Sequence, residues 1–126
     1  MNWCDTTLWH CRYAFGLCLS EREFTRQMSR MNVPPESRPR WINKNADATT
    51  HFLESDNRRA AIVCIEDHPE RNGVATAALL VHEAVHIWQE HRMMTGETAP
   101  SSESEAYAVQ NISQRLMEEF AKARAR

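Results

Sequence analysis

The chain has 126 residues, 42% of them apolar and 25% charged, with a formal net charge of −2. This is enough for one hydrophobic core and not two, and no apolar run is long enough to cross a bilayer. Acids and bases are mixed along the sequence, which argues against the basic stripe that nucleic-acid binding needs; the basic end Lys122-Ala-Arg124-Ala-Arg126 reads as a solubilising helix terminus.

In chain order, Met1-Asn-Trp-Cys-Asp5 lacks the basic start and apolar stretch of a secretory signal, so the expectation is a cytoplasmic protein. Leu8 to Leu19, rich in aromatic and aliphatic residues, reads as a strand. Ser20, followed three residues later by Glu23, forms a capping box that opens a helix to about Met31 on Phe24, Met28 and Met31. Asn32 to Asn45 contains Pro34, Pro35 and Pro39 and reads as an irregular connection. Ala48–Leu53 and Ala60–Ile65 read as an antiparallel hairpin around the polar stretch Glu54–Arg59. The second of these strands is apolar almost throughout and should be well buried, although as an edge it could pair with an extended peptide. An apolar helix follows over about Val74–Met93, and a last one over about Ser102–Ala123. The predicted fold is α+β and a single domain over 1–126: a small, mostly antiparallel, three-stranded sheet with about three helices, the apolar helix packed on the sheet.

Cys4, Cys11 and Cys18 are spaced by seven and Cys64 lies far away. Without a Cys-x-x-Cys pair they read as free, buried thiols rather than a zinc knuckle. Trp3, Trp9, Trp41 and Trp88 read as core or boundary packing, Met93-Met94 as helix-end packing, and His10 beside Cys11 as too isolated for a metal site.

The chemistry concentrates in His82-Glu83-Ala84-Val85-His86. Residues four apart share a helix face, so both imidazoles can reach one cation. Glu83, one step round, can take a proton from water without being a ligand. Three ionisable groups in the most apolar helix are costly unless they are used.

Ala78-Leu-Leu-Val-His-Glu-Ala-Val-His-Ile-Trp-Gln89 followed by Pro100-Ser-Ser-Glu-Ser-Glu-Ala-Tyr107 resembles the gluzincin class of zinc metallopeptidases. The chain is also similar to small uncharacterised phage-encoded proteins carrying Gly-Leu-Cys-Leu-Ser-Glu, as residues 16–21 do here. The resemblance implies a minimal zincin-like domain, one zinc ion, a peptide or protein substrate and a third ligand from a glutamate on the next helix. Mapped on the class pattern Glu-x-x-Ala-Asp or Glu-x-x-Ala-Asn, that ligand is Glu103, with Tyr107 where the class has Asp or Asn. The apolar stripe Val109, Ile112, Leu116 and Phe120 favours Glu105 instead, because Glu105 lies nearer to it. The alternatives to ligation are a capping box between Ser102 and Glu105 and a first-turn acid at Glu103. Two imidazoles and a carboxylate leave a zinc position open for water, and nitrogen and oxygen donors favour zinc over manganese or cobalt. Glu83 is then the general base for amide hydrolysis, and Tyr107, His91 and His51 are candidate donors to the oxyanion. Two rivals remain. One is a catalytically silent zinc-binding module closed by His91 or Cys64; the other is a metal-free partner-binding protein, such as a phage factor acting on a host component.

Overall fold

The computed structural model describes residues 1–6, 11–55 and 57–125. It contains strands β1 (Asn2–Trp3), β2 (Ala14–Cys18), β3 (Ala48–Ser55) and β4 (Arg58–Ile65), and helices α1 (Glu21–Arg30), α2 (Gly73–Thr95) and α3 (Ser102–Arg124). The sheet order is β1-β2-β4-β3. β1 pairs antiparallel with β2, β2 parallel with β4, and β3 antiparallel with β4. The α+β architecture therefore stands, with β1 adding a two-residue fourth strand and β2–β4 a parallel pairing.

The strand expected over Leu8–Leu19 is shorter than the sequence suggests, and residues 7–10 lie outside the described part. Cys11 to Tyr13 are not in the ladder. The Arg12 N–H instead donates to Nδ1 of His91 on α2, at 3.1 Å, which removes a donor a strand would need. The hairpin turn is tighter than expected: Ser55 pairs with Arg58, and Glu54 pairs with Arg59 across the strands through a 3.0 Å ion pair. Asn57 takes the left-handed conformation (φ +67°) that a tight turn requires and asparagine tolerates.

The helix ends follow their capping chemistry. Ser20 Oγ accepts from Glu23 N–H, and Glu23 Oε2 accepts from the N–H of Leu19, one residue before the cap. Asn72 Oδ1 accepts from Ala75 N–H at 2.7 Å to start α2. Gly96, at φ +72°, ends α2 with its N–H on Met93 O. α3 starts at Ser101, whose Oγ accepts from Ser104 N–H. The Ser102–Glu105 box considered from sequence is thus not the cap.

Alternation along the strands sends side chains to two faces. Phe15, Leu17, Ala61, Val63 and Ile65 meet Leu80, Ala84, Ile87 and Trp88 of α2 and Ala108, Ile112, Leu116 and Phe120 of α3. Cys18, Ile62 and Cys64 face the other way, onto Phe24 and Met28 of α1, with Val33, Trp41 and Ile42 of the proline-rich connection packed around them. β4 is buried from Ala60 to Ile65, as its composition implied. It is also internal, between β2 and β3, so peptide addition to β4 is not open; β3 is the strand at that edge. Met93 is 75% exposed rather than packed at the helix end. Among the described residues no helix is long and apolar enough to cross a membrane.

Candidate metal centre

His82, Glu83 and His86 lie in the middle of α2. At about 100° per residue, Glu83 projects between the sheet-facing stripe and the histidine face. Its side chain goes inward: Glu83 is 4% exposed, and Oε2 accepts from Thr50 Oγ1 on β3 at 2.6 Å. Thr50 is presented to α2 because its neighbours Thr49 and His51 point to the α1 side, where His51 stands over Phe24 with ring centroids 5.1 Å apart. A buried carboxylate therefore meets a hydroxyl donor instead of bare hydrocarbon, which offsets its desolvation. Nothing in the local pattern near Glu83 announces Thr50; only the period of two in β3 could have pointed to it.

The two histidines project outward into solvent, with ring centroids 4.9 Å apart and planes at 73°. Their Nε2 atoms approach to 3.2 Å. Two nitrogens bonded to one tetrahedral zinc at about 2.0–2.1 Å stand about 3.3 Å apart, so this separation fits a shared cation. The same approach fits an N–H···N hydrogen bond between neutral rings, which one tautomer supplies and a metal replaces.

The glutamates considered as third ligand are both in the first turn of α3 and are exposed. Glu105 Oε2 accepts from Trp88 Nε1 at 2.8 Å. Trp88 is two residues beyond His86, about 200° round the helix, so the carboxylate of Glu105 is held on the other flank of α2. Glu103 lies two residues from Glu105 and projects to the opposite side of α3. Among the described residues no group of three His, Cys, Asp or Glu side chains is gathered as a metal site. The fold therefore brings His82 and His86 together, seats Glu83 beside them against β3, and does not bring Glu103 or Glu105 to the pair.

The auxiliary candidates are dispersed. His91 is buried facing Arg12, stacked on Trp88 at 5.8 Å, with Nδ1 occupied by the Arg12 N–H. His51 is on the α1 face with Nε2 2.9 Å from Trp41 O. Neither is placed to help an oxyanion near His82. Tyr107 is 64% exposed on α3. Cys64 is on the far face of the sheet from α2, against α1, and cannot close a structural site with the histidines.

The described cysteines are all free. Burial pushes the Cys11 thiol up to about 11 and, with help from the nearby Glu119 carboxylate, Cys4 up to about 12. Cys18 and Cys64 are register partners on β2 and β4 and are fully buried. The hydrogen bond from Cys64 to Cys18, together with burial, holds the Cys64 thiol above its usual range.

No protein-family model, no curated protein and no solved structure matches this chain.

Proposed function

We propose that the chain is a zinc-dependent peptidase with His82 and His86 as metal ligands, Glu103 or Glu105 as the third, and Glu83 as general base. The observation that carries this reading is the 3.2 Å approach of two exposed imidazole nitrogens beside a buried carboxylate already held by a donor. Zinc bound there supplies polarisation of a carbonyl and acidification of a water.

The chain's own residues account for the rest. His82 and His86 offer Nε2 lone pairs from one face of a rigid 23-residue helix, so little ordering is needed on binding. Thr50 orients Glu83 through Oε2 and leaves Oε1 to accept a proton from water and return it to a leaving amine. β3, at the edge of the sheet and carrying Thr50, supplies backbone groups along which an extended peptide can lie next to Glu83. Tyr107 is the remaining candidate for an oxyanion donor. The free cysteines, buried at Cys11, Cys18 and Cys64 and half-buried at Cys4, fit a reducing cytoplasm, the host's in the phage-like reading.

The second reading is a catalytically silent zinc-binding interaction module, favoured by the fact that Glu83 is engaged with Thr50 and neither α3 glutamate sits at the pair. One pair of measurements separates the two: metal content and cleavage of an unstructured protein substrate by the wild type and Glu83→Gln. A peptidase loses cleavage in Glu83→Gln and keeps its zinc. A silent module shows zinc in both and cleavage in neither.

A further inference from the structure

The solvent side of α2 is uncharged along most of its length, which a surface helix does not need to be. From Gly73 to Gln89 the only Asp, Glu, Lys or Arg is Glu83, and Glu83 is buried. At about 100° per residue, Ala75, Leu79, His82, His86, Gln89 and Met93 fall within about 40° of one line along the helix. All are exposed except the half-buried Leu79, and Met93 is 75% exposed. A helix that is apolar all round is one that something covers. The two histidines stand at the middle of this line, with Ala75 and Met93 near its ends.

The same line is short of ligands. Two imidazole nitrogens 3.2 Å apart fit two corners of a tetrahedral zinc, and among the described residues no third His, Cys, Asp or Glu is gathered beside them. A second copy of the helix meets both needs. His82 and His86 lie two residues either side of Ala84, and Ala75 and Met93 nine residues either side of it. A two-fold axis at the level of Ala84, with the two helices antiparallel, therefore brings His82 and His86 of both copies to one point. The two histidines sit about 20° to opposite sides of the line, so the imidazole pairs of the two copies cross, as opposed edges of a tetrahedron do. The same axis sets the long Met93 of each copy over the small Ala75 of the other, a self-complementary contact. On α2 the charged residue nearest the line, Glu90, comes to the level of Ala78 of the other copy, so no acid of α2 faces its own counterpart.

Resting on the zinc reading above, we infer that the outer face of α2 pairs with a second copy of this chain, the two copies sharing one zinc ion between His82 and His86 of each. Four imidazoles fill a tetrahedral ion, so the shared form has no position for water and is the closed state of the centre. Mass action decides which form is present. Pairing is favoured where chains outnumber zinc; excess zinc gives each chain its own ion and the open position that Glu83 requires.

The test is sedimentation velocity and native mass spectrometry on the untagged full chain, with zinc added from none to excess. Without zinc the chain is expected to be a monomer. At one zinc per two chains its mass is expected to double, with one ion in each pair, and chelator or excess zinc is expected to return the monomer. His82→Ala and His86→Ala, both at exposed positions, are expected to lose the zinc-dependent dimer while circular dichroism stays that of the wild type. Ala75→Glu combined with Met93→Glu is expected to weaken the dimer about tenfold, by setting acid against acid at both ends of the pair. Ala75→Lys combined with Met93→Glu is expected to restore it. These double variants keep both histidines, so they carry the comparison should an alanine variant fail to fold. A wild type that binds zinc yet stays monomeric at every ratio overturns the inference and leaves the zinc reading standing. A dimer that forms without zinc, survives His86→Ala, or is equally strong in the two double variants also overturns it. Absence of zinc from the wild type, or zinc binding unaffected by His86→Ala, removes the zinc reading itself.

Discussion

The two faces of the sheet are made from the same strands and differ sharply in what they bury. On the α1 side, Cys18, Ile62 and Cys64 close against Phe24 and Met28, with His51 at the margin bonded to the Trp41 carbonyl. On the α2 side an equally apolar layer admits a carboxylate, Glu83, and holds it with a single hydroxyl while two imidazoles converge one helical step away. Burying a carboxylate costs several kcal/mol or more unless it is bonded. An α1-like face shows that this fold closes without one, so packing does not demand the acid on the α2 face, which fits the role proposed for Glu83.

Changes to the α2 face should alter function at little structural cost, and changes to the α1 face the reverse. The largest expected effect is Glu83→Gln, which should lower the peptidase rate by about 10²–10⁴-fold with zinc content unchanged; parallel turnover and metal assays on one preparation check both halves. Thr50→Val removes the donor that orients Glu83 and should reduce turnover by up to about a hundredfold, as misplacement of a catalytic group does. A rate equal to wild type would detach Thr50 from the site. Phe24→Ala on the α1 face should cost about 3–5 kcal/mol in urea unfolding, while the zinc affinity of the folded fraction stays as in the wild type. If zinc affinity falls with stability, the two faces are not separable.

A pH prediction follows from Cys11. Its thiol titrates at about 11 in the folded chain because of burial, above the reference value of about 8.5 for an unfolded cysteine. The raised value means that stability is full below the unfolded pKa and falls as pH rises from about 8.5 towards 11. Denaturant midpoints measured across that window should decline, and Cys11→Ser should flatten the decline. The smallest effect is Ser20→Ala, which removes the cap of α1 and should cost about 1 kcal/mol. It should leave the α2 face untouched in the zinc assay.

Much of the fold was legible because its signals are local. The Ser20–Glu23 box, the prolines of the connection, the apolar run of β4 and the periodicity of α2 each announce an element from within a few residues. The pairing of β2 with β4 was not legible, since strands whose partners lie 46 residues apart in sequence (Cys18 with Cys64) carry no mark of whether they run parallel. The beginning of β2 departs from its sequence pattern for a tertiary reason: the Arg12 N–H is taken by His91 instead of a strand neighbour. At the site, helical spacing alone places His82 and His86 on one face, and the structure brings their rings together. Thr50 and the Trp88–Glu105 contact were invisible because each joins elements 33 and 17 residues apart by a single hydrogen bond.

The claim on which the functional reading depends is that one cation replaces the contact between His82 and His86. A crystal grown with zinc and measured on both sides of the zinc absorption edge reads this directly. The expected result is one anomalous peak at about 2.0–2.1 Å from both Nε2 atoms, with a carboxylate oxygen from the first turn of α3 completing the set. The two rings still in mutual contact, with no peak between them at saturating zinc, would contradict it.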